Sequence, residues 1–124
     1  MDNFKRFQVE NYREDFIHID QIKWDGEGLK NNLEAEKNHI KINLIFADIV
    51  YLYSNTLELY KPSWWIGKEG DYYPFYYAED SEYISKLKKE VDHIKDNKII
   101  HFVIIGVDNV VDVLTSDFPK INIR

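Results

Sequence analysis

Two apolar runs near the C-terminus, Ile99 to Val107 and Val110 to Thr115, constrain this chain more than anything else in it. Between them stand Asp108 and Asn109, residues that tolerate the positive φ of a two-residue hairpin turn. Each run is apolar at odd and even positions alike, so the hairpin has no face to offer to water. With Asp108-Asn109 as the loop, Val107 pairs with Val110 and Ile105 with Asp112. Phe102, Ile104, Val111 and Val113 then face one way, and Val103, Ile105, Val110 and Leu114 the other. The hairpin therefore lies centrally in a sheet with something covering each side.

One cover is a helix. Asp80 or Ser81 can cap it, and Ile84, Leu87, Val91 and Ile94 follow at helical spacing. The opposite face carries Glu82, Lys86, Lys89 and Glu90, with Glu82 and Lys86 at the favourable i,i+4 separation. Asp96-Asn97 breaks the pattern, which predicts a helix over about 80–95.

The rest of the chain reads mainly as strand. Phe16 to Trp24 alternates as a half-buried strand, Asp25-Gly26-Glu27-Gly28 turns it, and Leu29, Leu33 and Ala35 read weakly as a second strand. Lys37-Asn38 is a hairpin tip. His39 to Tyr53 is a long β-rich run whose alternation slips at Ala47-Asp48, where a bulge or bend is expected. Ser54-Asn55 supplies turn chemistry before a short strand from Thr56 to Tyr60, and residues 63–71 form a loop. Tyr72 to Ala78 returns as an aromatic strand, placed at an edge by Pro74. Pro119 marks the end of pairing, and residues 1–14 fit helix and strand equally well. A chain of 124 residues can bury one core without metal or disulfide. The expectation is a single α+β domain over 1–124, a mainly antiparallel bent sheet, open or partly closed, packed against the helix of 80–95.

Composition narrows the function classes. Cysteine is absent, which removes disulfides, thiolate metal sites and cysteine nucleophiles and suits a reducing cytoplasm. No stretch of 18 apolar residues occurs and Met1 to Asp15 is charged, so neither a membrane nor a secretory signal is indicated. Residues 1–62 and 63–124 each hold 8 basic and 11 acidic residues, −3 apiece, summing to the net charge of −6. Without a basic stripe, nucleic acid is a poor partner.

Catalytic and metal patterns are weak. In the register above, His101 and Asp112 share a face, but Asp112 sits opposite Ile105, about 13 Å from His101 at about 3.3 Å per residue. Asp112, set among valines, must find a donor or reach water. Glu90 and His93 form half of a di-iron helix motif that requires a second such helix. His18 and Asp20 lack a third ligand, and His39 sits at a turn. No G-x-S-x-G, dinucleotide fingerprint or phosphate loop is present. No enzyme activity, metal or cofactor is therefore expected.

The segment from Tyr60 to Tyr77 carries the most functional content, with Trp64, Trp65, Tyr72, Tyr73 and further rings around Lys68-Glu69-Gly70-Asp71. Alternation cannot bury all of them. Either these rings close the ends of the fold, or some stay accessible as a protein-binding patch, because Trp and Tyr dominate hot spots. On the second reading Trp64, Trp65, Glu69, Asp71, Tyr72 and Tyr73 contact a basic partner protein. The alternative is a small-ligand domain with an aromatic-lined cleft. The sequence sets neither the partner's identity nor an oligomeric state.

The run from Ile42 to Tyr53, then Thr56-Leu57-Glu58, Phe75-Tyr76-Tyr77, Asp80-Ser81-Glu82-Tyr83-Ile84, His101-Phe102-Val103-Ile104 and Val111-Asp112-Val113-Leu114, resembles a family of small uncharacterised bacterial α+β proteins. These in turn resemble immunity proteins of bacterial toxin systems. The resemblance implies a cytoplasmic domain that binds and neutralises a toxin by occlusion. It also implies structural weight for Asp48, Asp80, Ser81 and Asp112 as turn, cap and buried hydrogen-bond residues.

Overall fold

A computed structural model describes residues 3–10, 15–57 and 72–123. The strands run β1 Lys5–Arg6, β2 Ile17–Asp25, β3 Gly28–Ala35, β4 Lys41–Phe46, β5 Val50–Leu57, β6 Phe75–Ala78, β7 Ile100–Ile105, β8 Asn109–Thr115 and β9 Lys120–Ile123, with a helix α1 at Glu82–Glu90. They make two open antiparallel sheets in place of the single bent sheet expected. One has five strands in the order β1-β6-β7-β8-β5, the other four in the order β2-β3-β4-β9.

The hairpin β7–β8 is central, as its two-sided apolar pattern requires, and every residue of Ile100–Ile105 is buried. Phe102, Ile104, Val111 and Val113 belong to a core that also holds Leu29, Leu33, Ile42, Leu44 and Phe46 of the second sheet. The sheets meet through Phe46 and Phe102, edge to face at 5.5 Å. The second sheet shows clean alternation: Leu29, Asn31, Leu33 and Ala35 point inward, while Lys30, Asn32 and Glu34 are only half-buried. Its first turn needs Gly28, which adopts φ +125° where a Cβ would lie 2.2 Å from the Phe46 carbonyl oxygen.

On the other face of the five-stranded sheet, α1 packs Ile84 and Leu87 with Ile94, Ile99 and Leu114. The helix is shorter than 80–95. Val91 takes an extended conformation (φ −123°, ψ 91°), and Asp92–Ile94 follow as a single 3-10 turn that still delivers Ile94 to the same cluster. Ser81 is the cap, its hydroxyl oxygen accepting from the Ile84 N–H.

Four further expectations change. The long run from His39 to Tyr53 is two strands of different sheets, because the slip at Ala47-Asp48 is a crossover and not a bulge. Ser54-Asn55 does not turn, and β5 continues through them to Leu57, paired with β8 throughout. Pro119 does not end pairing, since Lys120 to Ile123 pair with β4. The aromatic strand is not at an edge as Pro74 suggested: Pro74 stands just before β6, which pairs with β7 on one side and with the two residues of β1 on the other.

Candidate functional site

The sequence register of the β7–β8 hairpin is two residues out, and chemistry turns on that shift. Ile105 pairs with Val110, leaving a four-residue turn in which the Gly106 N–H donates to the Asn109 carbonyl at 2.8 Å. The Val107 N–H is taken by the Ile17 carbonyl of β2 at 2.9 Å, and Ile19 fills the space beside Gly106. Bonding to the other sheet thus competes with a tighter hairpin and prevails. Asp112 consequently lies opposite Val103, one diagonal step from His101.

The result corrects the 13 Å separation: His101 Nε2 and Asp112 Oδ1 are 2.7 Å apart. His101 Nδ1 meets the Ser81 hydroxyl at 2.9 Å. A consistent proton arrangement has the Ser81 hydroxyl donating to Nδ1 and Nε2–H donating to the carboxylate. Tyr83 stacks on the imidazole at 4.9 Å, and Phe4 meets it edge-on at 5.0 Å. The charge of Asp112 first, then burial and Glu82, hold the Tyr83 phenol above its ordinary range.

Ser, His and Asp in a hydrogen-bonded row suggest a nucleophilic triad, but the surroundings describe a tether. The three residues are 3%, 3% and 7% exposed. One lone pair of Ser81 is committed to the helix cap. The row fastens the N-terminus of α1 to β7 and β8.

The remaining polar candidates are dispersed. His18 pairs with Glu36 at 3.3 Å, His39 takes φ 56° in the turn after β3 beside Glu34, and the extended Val91 separates Glu90 from His93. Among the described residues no group of three or more His, Asp or Glu converges on a metal-sized centre. Nor is any helix among them long and apolar enough to cross a membrane.

Of the expected partner-binding residues, Trp64, Trp65, Glu69 and Asp71 lie outside the described residues. Tyr72 and Tyr73 are described, and both hydroxyls are spent on backbone. Tyr72 donates to the Ile105 carbonyl and accepts from the Ile17 N–H, bridging the two sheets. Tyr73, 8% exposed, donates to the Phe7 carbonyl and accepts from the Val9 N–H. Burial first pushes its phenol up, against the opposing Val9 bond and the guanidinium of Arg6, which lies 5.0 Å from the ring centre.

Accessible apolar surface gathers elsewhere. The large apolar side chains left exposed among the described residues are Phe16, Trp24, Ile49, Leu52, Tyr53, Leu57 and Tyr83. Leu52, Tyr53 and Leu57 belong to β5, and Ile49 immediately precedes it. Trp24 meets Tyr53 at 6.3 Å. Tyr83 joins Leu52, Ser54, Thr56, Lys86, Leu87, Glu90 and Leu114 around an open groove of about 440 Å³ between α1 and β5. Only Phe16, packed on Tyr72, stands apart.

β5 is also an edge of its sheet. Its sequence, Val50-Tyr51-Leu52-Tyr53-Ser54-Asn55-Thr56-Leu57, has neither charge nor proline. No backbone bond joins its outer side to another described residue. Sequence reasoning missed this strip because it placed a turn at Ser54-Asn55, which hid the strand's length. The signal available was the run of uncharged β-formers from Ile49 to Leu57. Compared with known proteins, the chain matches no family model, no curated protein and no solved structure.

Proposed function

We propose that this domain works by binding another protein along β5. The observation that carries the reading is an open, uncharged strand edge with exposed apolar side chains on both faces, Leu52 toward the α1 groove, and Leu57, 63% exposed, and Tyr53 on the other, where Trp24 of β2 meets Tyr53. An apolar patch beside unpaired backbone groups combines the two elements of strand-mediated recognition, backbone hydrogen bonds and side-chain contacts. A narrower form, an immunity protein that blocks a basic toxic protein by occlusion, rests on the net charge of −6 and on the aromatic and acidic residues of 64–73, not on the uncharged β5.

The groove between α1 and β5 favours a second reading, a small-ligand site. Its volume falls in the range of small-molecule pockets, although among the described residues Tyr83 is its one aromatic lining residue and Tyr72, Tyr73, Tyr76 and Tyr77 do not line it.

A photo-reactive residue placed at Leu57 in cells tests the main reading, with the same residue at Lys98 as control. A defined protein crosslinked at Leu57 and not at Lys98 supports it. No adduct at Leu57 above the control level would sink it. Co-expression with the product of the adjacent gene tests the narrower form: rescue of growth from a toxic neighbour supports immunity, and a harmless neighbour removes it.

A further inference from the structure

We propose that the partner of β5 is a second copy of this chain, joined edge to edge so that the five-stranded sheet continues across a two-fold axis. This rests on β5 being a protein-binding edge and names what binds there. Among the described residues the two open sheets have four edge strands, β1, β5, β2 and β9. Three are guarded. β1 is only Lys5 and Arg6. β9 is short and begins with Lys120, directly after Pro119. β2 carries Asp20, Lys23 and Asp25 and is bulged between Ile19 and Gln21. Charge, brevity and bulges are the devices by which free edges avoid pairing with other chains.

β5 is the exception. Its bulge lies at the start, between Val50 and Leu52, and the ladder from Leu52 to Leu57 is unbroken. That leaves about 20 Å of regular edge at about 3.3 Å per residue. An edge left unguarded beside three guarded ones is an edge covered in the working assembly.

Charge selects a second copy over a basic partner. A basic protein would be met by acids along the seam, and β5 has none. Two chains of net charge −6 repel least where an uncharged strand meets an uncharged strand. An antiparallel seam about a two-fold axis at Ser54 sets Leu52 beside Thr56 of the second copy and Tyr53 beside Asn55 of the second copy, with no charge against a charge. Rings such as Trp24 and Tyr53 bury about 150–250 Å² each. At roughly half exposure they supply about 200 Å² per chain before Leu52, Leu57 and the open backbone are counted, a substantial part of the ~800 Å² per partner that stable interfaces bury. The seam's flanks are acidic, with Asp48 before the Val50 end and Asp108 beside Leu57 in one shallow groove. These ends approach one another in the pair, so added salt tightens it, whereas salt would loosen a complex with a basic protein.

Sedimentation velocity of the full chain over a range of concentrations, at low and high salt, tests the inference. The expected result is a reversible dimer, tighter at high salt. Leu57→Glu should weaken it by about tenfold or more by bringing like charges to one seam, while Phe16→Glu, away from β5, leaves it unchanged. Both sites are well exposed, and circular dichroism with an unshifted melting curve establishes that the variants fold. A monomer at every concentration overturns the inference, as does a dimer indifferent to Leu57→Glu. If the chain is monomeric yet a photo-reactive Leu57 captures a different protein, the binding edge stands and the second copy alone is wrong. If neither occurs, both fall.

Discussion

The imidazole of His101 and the carboxylate of Asp112, on adjacent central strands, meet at 2.7 Å while both are more than nine-tenths buried. The Ser81 hydroxyl on the other ring nitrogen carries the connection into the cap of α1. A polar row of this kind is worth most when complete, because each member left alone is a buried group without a partner.

Removing one member should therefore cost more than removing two. Asp112→Val leaves the Nε2–H of His101 unsatisfied in an apolar setting and should cost about 2–3 kcal/mol. Adding His101→Phe should recover part of that loss, a non-additivity read from urea unfolding of the single and double variants. Ser81→Ala should cost about 1 kcal/mol for the lost cap, with a further penalty from the orphaned Nδ1. Strict additivity across this set would show that the row is not a unit.

Tyr83 reports on the same charge from outside. Its phenol is held above the ordinary tyrosine value, chiefly by the charge of Asp112. A raised folded value favours the neutral phenol in the folded chain. Its stabilising contribution is thus complete below about pH 10, the unfolded value, and is lost as pH climbs through the folded one. Asp112→Asn removes the charge and keeps the shape, so ultraviolet titration of tyrosinate should show one phenol moving back toward the ordinary range. Tyr83→Phe identifies that phenol. An unchanged titration in Asp112→Asn would show that burial, and not Asp112, sets the shift.

What local sequence reveals is what neighbouring residues decide. The Ser81 cap, the apolar stripe of Ile84 and Leu87, and the central position of β7 and β8 all follow from spacing and from a hairpin apolar on both faces. The partition into two sheets does not. Ala47-Asp48 looks alike whether it bulges one strand or carries the chain to another sheet, and only the contacts of Phe46 with Phe102, and of β5 with β8, separate these outcomes. The same holds for the His101–Asp112 contact: with the hairpin closed tightly the pair is out of reach, and the Val107 N–H bonding to Ile17 is what moves the register. The open edge of β5 was hidden for a related reason, since Ser54 and Asn55 are turn residues by type but here pair opposite Asp112 and Val111.

Asn31 breaks the inward apolar pattern of β3. It is 0% exposed, between Leu29 and Leu33, and neither its Nδ2 nor its Oδ1 has a hydrogen-bond partner among the described residues. An amide so placed forfeits its hydration without replacement. Asn31→Leu, of similar length, should raise unfolding stability by about 1–3 kcal/mol, seen as a higher urea midpoint at unchanged slope. A lower midpoint would mean that this amide is engaged by something that leucine cannot replace.

Gly28 closes the β2–β3 turn under two independent constraints. Its φ of +125° belongs to a region that L side chains rarely adopt, and a Cβ would come 2.2 Å from the Phe46 oxygen and 3.0 Å from the Ala47 Cα. Both obstacles are backbone, so no rotamer change relieves them. Moving that backbone would disturb β3 against β4 just where Phe46 enters the core opposite Leu29. Gly28→Ala should therefore cost about 2–4 kcal/mol, well beyond the loss from backbone strain alone. Gly26 separates the two effects. It lies in the same turn with nothing within 4 Å of its would-be Cβ, so Gly26→Ala should change stability by less than about 1 kcal/mol. Thermal or urea unfolding of both variants is the measurement, and equal losses at the two positions would show that the crowding against Phe46 does not govern this turn.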